Sequence, residues 1–193
     1  AALSARPHAA RVIGVDFSDG MLRRALHKVR RRGYSRTFGL VRGDAACLPV
    51  RSGSMDAATV AFGLRNVERL SAALAEIHRV LAVGGRLAVL EFAIPEAGVI
   101  RAVYLCYFTR VLPAIGRVLS GHGSAYAYLP ASVQAFLPPG AIAALLGDHG
   151  FSSVAAVRLT AGIVYLYVGT KSAGPVRGPV RRPGSAAGGC YNR

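Results

Sequence analysis

The sequence predicts an α/β fold with a mostly parallel, doubly wound sheet and an antiparallel hairpin at its C-terminal end. Short apolar runs of strand type alternate with helix-like segments, an order typical of parallel sheets. The last two strand-like runs are close enough in sequence to form an antiparallel pair. The 193 residues are 52% hydrophobic and 17% charged, which suits one globular domain and argues against a disordered chain.

The first half of the chain contains three predicted strands and one predicted helix. Ser18 or Asp19 caps the helix, and Gly33 ends it. Arginines crowd its C-terminal half, where they suit the helix dipole. The strands are expected at 11–15, 37–41 and 55–62.

The second half of the chain continues the alternation. Leu70, Leu74, Ile77 and Leu81 recur at helical spacing, which predicts a helix over 70–82 that Gly84 and Gly85 stop. The remaining predicted elements are a strand at 86–92, a helix at 140–149 and the hairpin strands at 152–159 and 162–170.

An apolar stretch over 98–119 is interrupted by Arg101, Arg110 and Arg117. These charges argue against a membrane-spanning helix, which needs about 20 largely uncharged residues. The stretch predicts a helix that covers the active site or dips into a membrane face. From residue 172 onward Gly, Pro, Ser and Arg dominate, so we expect a domain over 1–171 followed by a disordered basic tail over 172–193.

The net charge of +15 has two interpretations. It indicates attraction to an anionic partner, or it reflects compositional bias, because Lys28 and Lys171 are the only lysines and the other basic residues are arginine. We expect peripheral contact with an anionic membrane and no nucleic-acid partner. The three cysteines have neither metal-site nor disulfide-framework spacing, so we expect no metal and a cytoplasmic location, at most peripheral to the inner face of the membrane.

Two acids follow the first and second predicted strands, at the edge where ligands bind in open α/β sheets. Asp16 either accepts hydrogen bonds from the hydroxyls of a ribose or caps the next helix. Asp44 either accepts from an adenine amino group, with the Ala45 amide donating to the ring, or forms a turn after Gly43. Together the two acids indicate an adenosine site.

The third predicted strand leads into the loop 61–67 (AFGLRNV), where the reactive end of a cofactor would lie. Gly63 permits a close approach of the backbone. Arg65 and Asn66 bring a cation and an amide to the pocket, or they are a surface charge and a helix cap. Glu91 ends the fourth strand at the same edge, where it polarises a substrate hydroxyl or pairs with Arg65.

Several segments resemble the ubiquinone/menaquinone biosynthesis C-methyltransferase family, over about residues 11 to 171. The most specific elements are FGLRNV, AYxYLPxSV and LTxGI. The segments are 44–49 (DAACLP), 62–67 (FGLRNV), 79–89 (RVLAVGGRLAV), 90–92 (LEF), 120–136 (SGHGSAYAYLPASVQAF) and 159–171 (LTAGIVYLYVGTK).

The resemblance implies a Rossmann-like, class I S-adenosylmethionine-dependent methyltransferase fold. It also implies methyl transfer from S-adenosylmethionine to a ring carbon of a polyprenylated quinol, either demethylmenaquinol or a ubiquinone precursor. By the family pattern, Asp16 holds the ribose and Asp44 with Ala45 holds the adenine. Ala61 lies beside the cofactor, at a position where the family often has Ser.

The remaining site residues also follow from the resemblance. Arg65 and Asn66 are the expected catalytic residues and face the substrate, whose pocket Tyr126 and Tyr128 line. Arg65 would stabilise phenolate charge. His122 is either a catalytic base or a structural or solvated histidine.

The family pattern begins with a further strand and a Gly-rich loop of D-x-x-x-G-x-G type, which residues 1–10 (AALSARPHAA) do not supply. We expect this strand to be missing from the centre of the sheet, between 11–15 and 55–62, with two strand edges left unpaired. Two alternatives therefore stay open. One is an inactive homologue that binds membranes or partners through its basic face, and the other is a methyltransferase for another lipid or small molecule.

Overall fold

A computed structural model describes residues 11–95, 98–107 and 131–173. Strands and helices alternate along them, which confirms the predicted α/β class. The strands are β1 (Val12–Asp16), β2 (Phe38–Arg42), β3 (Met55–Ala61), β4 (Leu81–Phe92), β5 (Phe151–Leu159) and β6 (Val164–Lys171). The helices are α1 (Asp19–Arg31), α2 (Leu70–Val80), α3 (Gly98–Cys106) and α4 (Pro139–Asp148).

The strands form two separate sheets. β1 and β2 are parallel partners, whereas the second sheet has the order β3-β4-β6-β5. In that sheet β3 and β4 are parallel, and β6 is antiparallel to both β4 and β5. The predicted antiparallel hairpin is therefore confirmed, with Leu159 opposite Val164 at its closed end.

No hydrogen-bonded ladder joins β1 to β3 within the described part of the chain. β1 and β3 each have a single ladder partner among these residues. The unit β1-α1-β2 consequently has little core: none of the residues of α1 is buried, and Ile13 and Met21 remain 42% and 52% exposed.

The hydrophobic core lies on the four-stranded sheet, between its strands and the helices α2 and α4. β4 is the central strand, and its burial alternates because every second side chain faces the core. The fully buried side chains include Leu74, Leu87, Val89, Leu146 and Tyr167. This half of the molecule is therefore the rigid support for the polar residues at its edge.

The boundary between α2 and β4 differs from the prediction. We expected the helix to run to residue 82, but it ends at Val80 and β4 begins at Leu81. Lys171 explains the early end, since its Nζ donates to the carbonyl oxygens of His78 (2.7 Å) and Leu81 (2.8 Å). A side chain at Gly85 would place its Cβ 2.8 Å from a backbone oxygen, so only glycine fits the bend within β4.

α3 accounts for the described part of the predicted helical stretch 98–119. It carries Val99, Ile100 and Val103 with exposed side chains. None of the helices in the described residues is long and apolar enough to cross a membrane. The other predicted elements agree with the structure to within about two residues.

Candidate active site

The carboxyl ends of β1, β2, β3 and β4 lie at one edge of the molecule, linked by direct contacts. The amide of Gly43 donates to the carbonyl oxygen of Asp16 (3.1 Å), which joins the ends of β2 and β1. Asp44 then pairs with Arg69 (2.8 Å), four residues after Arg65 in the segment that follows β3. The structure therefore brings the predicted adenosine residues and the predicted catalytic loop to the same edge.

Asp16 is half-buried, and its Oδ1 accepts a hydrogen bond from the Ser18 amide (2.8 Å). The N-cap of α1 is Ser18, whose Oγ accepts from the Met21 amide (3.4 Å). Asp16 is thus not the helix cap, and that alternative is wrong. Oδ2 of Asp16 has no partner among the described residues, which leaves an acceptor for a ligand hydroxyl.

Asp44 forms the turn that the sequence allowed, because its Oδ1 accepts from the Ala46 amide (2.8 Å). This backbone hydrogen bond, together with the Arg69 guanidinium, holds the pKa of Asp44 below its usual range. Between these two contacts, the half-buried amide of Ala45 finds no acceptor in the described part of the chain. A free N–H beside a carboxylate is the donor–acceptor pair that the edge of an adenine ring requires.

A second ion pair holds the loop 44–50 against α2. Glu76 Oε2 accepts from the Leu48 amide (2.7 Å) and pairs with Arg79. Arg79 in turn donates to the carbonyl oxygens of Leu48 (3.0 Å) and Val50 (2.9 Å). The Arg79 hydrogen bond, aided by the Leu48 amide and opposed by burial, lowers the pKa of Glu76. The carboxylate is therefore ionised where it fixes the backbone that presents Asp44.

Arg65 and Glu91 form a buried ion pair between the ends of β3 and β4. Nη1 of Arg65 lies 2.5 Å from Oε1 of Glu91, and the two side chains are 9% and 0% exposed. Glu91 also accepts from the amides of Arg65 (3.3 Å) and Phe92 (3.0 Å). The surface-charge alternative for Arg65 is therefore wrong, and the pairing alternative for Glu91 is confirmed.

Further hydrogen bonds and a ring contact fix the position of the Arg65 guanidinium. Nη1 donates to the carbonyl oxygen of Phe62 (2.8 Å), and Nε donates to Ser132 Oγ (3.3 Å). Its carbon lies 5.4 Å from the centre of the Phe92 ring, which stacks on Phe62 at 4.4 Å. Nη2 has no partner among the described residues, so one edge of the guanidinium stays available.

The backbone at Phe62 is strained, because its φ of 55° is uncommon for a residue with a side chain. This conformation turns the chain from β3 into the short 3-10 helix Leu64–Asn66. Asn66 is exposed there and is not the cap of α2, whose N-cap is Arg69, so the capping alternative for Asn66 is wrong. Ala61 is the last residue of β3 and is exposed at the same edge.

Two residues of this edge were not singled out from the sequence. Ser132 lies within the AYxYLPxSV element, so the motif was seen but not this side chain. Tyr104 is buried on α3, where burial raises the pKa of its hydroxyl and the nearby Arg65 opposes that shift. The predicted residues Tyr126, Tyr128 and His122 lie outside the described residues.

These features fit the nucleoside half of S-adenosylmethionine. After β1, Asp16 offers a carboxylate oxygen without a partner among the described residues. After β2, the Asp44 carboxylate offers an acceptor and the Ala45 amide offers a donor. The described residues include no Gly-rich loop after a strand that would match the one the family pattern places under the methionine half.

Comparison with known proteins agrees with this geometry. The model of the ubiE/COQ5 methyltransferase family matches residues 2–171. The chain is 45% identical to the demethylmenaquinone methyltransferase of Thermus thermophilus, over 88% of this chain and 76% of that protein. It is 44% identical to the ubiquinone/menaquinone biosynthesis C-methyltransferase of Syntrophotalea carbinolica, over 84% and 68%. A demethylmenaquinone methyltransferase of Bacteroides fragilis is 39% identical over 83% of this chain, which spans 65% of that protein.

Solved structures support the fold alone, since their identity to this chain is low. A methyltransferase of Thermotoga maritima, described as S-adenosylmethionine-dependent, superposes with a TM-score of 0.55 at 20% identity, over 83% of this chain and 72% of that one. One from Aquifex aeolicus gives a TM-score of 0.56 at 17% identity, over 83% and 67%. The predicted class I methyltransferase fold is therefore confirmed. With a family model that matches nearly the whole chain before the tail, this protein belongs to the ubiE/COQ5 methyltransferase family.

Proposed function

We propose that this chain transfers a methyl group from S-adenosylmethionine to a ring carbon of a polyprenylated quinol. Two relatives are named for demethylmenaquinone, which makes the corresponding quinol our first acceptor, and a third is named for ubiquinone and menaquinone synthesis. The observation that carries the proposal is the buried Arg65–Glu91 pair beside the adenosine residues. It leaves Nη2 of Arg65 as a fixed donor at the edge where an acceptor ring would meet the cofactor.

Arg65 acts on the acceptor's oxygen in this proposal. A quinol that loses a hydroxyl proton gains carbanion character at the neighbouring ring carbon, which is then nucleophilic. The Nη2 donor of Arg65 stabilises the negative charge on the oxygen while the carbon reacts. S-Adenosylmethionine, when bound, would supply the electrophilic methyl group and leave as S-adenosylhomocysteine, and the methylated ring carbon would release its hydrogen as a proton to restore the quinol.

Glu91 orients Arg65 and does not face the substrate in this account. Its carboxylate is fully buried and accepts the Nη1 donor and two backbone amides. The guanidinium therefore cannot turn toward solvent, and no reorganisation is needed when charge develops on the acceptor. Because Glu91 neutralises the pair, we infer that the direction of the Nη2 donor matters more than net positive charge.

The apolar surroundings of Arg65 serve to exclude water. Phe62 and Phe92 stack beside the guanidinium, and Tyr104 is buried nearby. A hydrogen bond to a charged oxygen is stronger in such an environment than in water. We further propose that Asn66 faces the acceptor and that Tyr126 and Tyr128 line its pocket, as the resemblance implies.

A polyprenylated acceptor resides in a membrane, so we propose peripheral contact of this chain with the inner face of the membrane. The net charge of +15 favours an anionic surface. On α3, Val99 and Val103 present exposed apolar side chains that suit the interfacial region of a bilayer.

The test is methyl transfer from S-adenosylmethionine labelled in its methyl group. Demethylmenaquinol with a short prenyl chain, the matching ubiquinone precursor and a water-soluble phenol are compared as acceptors in detergent. We expect label on a ring carbon of a quinol, located by mass spectrometry and NMR. Methylation of the phenol alone would favour the other-substrate alternative, and binding of anionic vesicles without any methyl transfer would favour the inactive homologue.

A further inference from the structure

We infer that a cavity beneath α3 binds the isoprenoid side chain of the acceptor, starting next to the ring. The cavity measures about 370 Å³. Its lining is almost entirely apolar and consists of Val99, Ile100, Val103, Tyr104, Tyr107 and Ile163. This inference rests on the proposed function for the identity of the ligand, but its binding test below does not depend on methyl transfer.

The position of the cavity links it to the candidate active site. Ile163 lines it, and the carbonyl oxygen of Ile163 accepts from the amide of Ala93 (2.9 Å), two residues after Glu91. Tyr104, which also lines the cavity, is buried on α3. The cavity therefore begins near the donor that we assign to the acceptor's oxygen. A ligand whose polar ring lies at Arg65 would extend any attached chain along α3.

The floor of the cavity is built by a strained turn between β5 and β6. Thr160, Ala161 and Gly162 all have positive φ angles, of 46°, 53° and 92°. Positive φ angles in Thr160 and Ala161, which carry side chains, are strained and persist where the surrounding structure requires them. The turn fixes Ile163, whose carbonyl oxygen accepts from the Ala93 amide (2.9 Å) at the end of β4. The LTxGI element thus places an apolar side chain directly below α3.

Four apolar side chains on and just after α3 are exposed. Val99 and Val103 are 78% and 63% exposed, and Ile100 and Tyr107 are 48% and 44% exposed. These positions share one face of a helix, because they are separated by three, four, seven or eight residues apart from the adjacent pair Val99 and Ile100. Exposed apolar patches of this kind mark ligand grooves or contact surfaces.

The size of the cavity suits a branched hydrocarbon. A cavity of about 150 Å³ accepts a benzene molecule of six carbons. By that measure, the cavity holds about 15 carbons, or roughly three isoprene units, so a chain of two units fits and a much longer one would leave it toward solvent or membrane. We commit to the acceptor's own side chain as occupant, since Ile163 joins the lining of the cavity to the end of β4, two residues beyond Glu91.

Geraniol, an alcohol of two isoprene units, tests the binding site without a quinone ring. We expect it to bind the full chain in a calorimetric titration. Val103→Asp should weaken that binding at least tenfold, because a charge in an apolar pocket must be desolvated. Val83→Asp is the matched control, since Val83 is 68% exposed but lies near the start of β4, at the opposite end from the candidate site. Val99→Asp gives a second test if the first variant is unfolded by circular dichroism.

A kinetic comparison then separates the possible failures. With the side chain in this cavity, Val103→Asp lowers kcat/KM for a two-isoprene acceptor relative to a tail-less one by at least tenfold, and Val83→Asp does not. Geraniol binding that depends on Val103, without methyl transfer by any form, would refute the proposed function and keep the cavity assignment. The assignment is overturned if geraniol fails to bind, or if Val103→Asp abolishes binding to phosphatidylglycerol vesicles but not to geraniol.

Discussion

The Arg65 guanidinium and the Glu91 carboxylate lie 2.5 Å apart, and together they form a buried link between the carboxyl ends of β3 and β4. Arg65 belongs to the FGLRNV element and Glu91 to the LEF element, 26 residues later. The ion pair joins the two sequence motifs into one polar unit, and its geometry determines which donor of Arg65 stays available to a ligand.

Removal of Arg65 alone should destabilise the protein strongly. Arg65→Met leaves the Glu91 carboxylate buried without its cation, so we expect the free energy of unfolding to fall by about 3–5 kcal/mol. The double variant Arg65→Met/Glu91→Leu removes both charges and should lose less than the single variant. Urea denaturation of the wild type, both single variants and the double variant measures the coupling. Additive losses would show that the two side chains do not form the pair described here.

A gentler change separates catalysis from stability. Arg65→Lys keeps the charge but loses the planar fork, so Glu91 retains a cation while the Nη2 donor and the Nε donor to Ser132 disappear. We expect turnover to fall by about 10²–10³-fold, the usual effect of losing one such donor, with little change in the dissociation constant for S-adenosylmethionine. Single-turnover kinetics and calorimetry measure the two quantities. Unchanged turnover would end the catalytic assignment of Arg65.

Asp16 should act on the cofactor and not on the acceptor. Because its Oδ2 is available for a ribose hydroxyl, Asp16→Ala should weaken binding of S-adenosylmethionine at least tenfold, corresponding to one charge-assisted hydrogen bond of about 1.5–3 kcal/mol. Asp56→Ala is the control, since Asp56 is an exposed acid near the opposite end of β3. Calorimetric titration gives both constants, and an unaltered affinity of Asp16→Ala would refute the ribose assignment.

The Glu76–Arg79 pair should make part of the stability dependent on pH. The pKa of Glu76 is lowered in the folded state. The contribution of Glu76 to the free energy of unfolding is therefore fully present above the ordinary glutamate pKa of about 4.3, and it is lost as the pH falls through the lowered value. The difference in unfolding free energy between wild type and Glu76→Gln should therefore shrink as the pH falls below about 4. Glu68→Gln, at an exposed glutamate, is the control. A difference that stays constant from pH 7 to pH 3 would contradict this account.

The fold followed from the sequence where the hydrophobic pattern was regular. The helix at Leu70 and the strands of the C-terminal hairpin appeared within about two residues of their predicted bounds, because burial of one face fixes their periodicity. The end of α2 was predicted two residues too late, since it depends on Lys171, which lies about 90 positions away in the sequence. Local helix propensity carries no information about such a contact.

Individual residues of the candidate site could be predicted only where they belong to a recognisable sequence motif or follow a predicted strand. Asp16, Asp44 and Arg65 lie at one edge of the molecule, as expected from their positions after the carboxyl ends of parallel strands. The sequence left open whether Arg65 was exposed or paired, and burial of Glu91 settled that. Ser132 contacts Arg65 from a segment 67 residues away, and no local sequence pattern specifies such a contact.

Titration of S-adenosylmethionine into this folded chain, followed by calorimetry, tests the central claim most directly: that the residues at the ends of β1 and β2 form the adenosine site of a methyltransferase. We expect a saturable isotherm with one molecule bound per chain, weakened by Asp16→Ala and unaffected by Asp56→Ala. A flat isotherm from a chain that circular dichroism shows to be folded would contradict the claim.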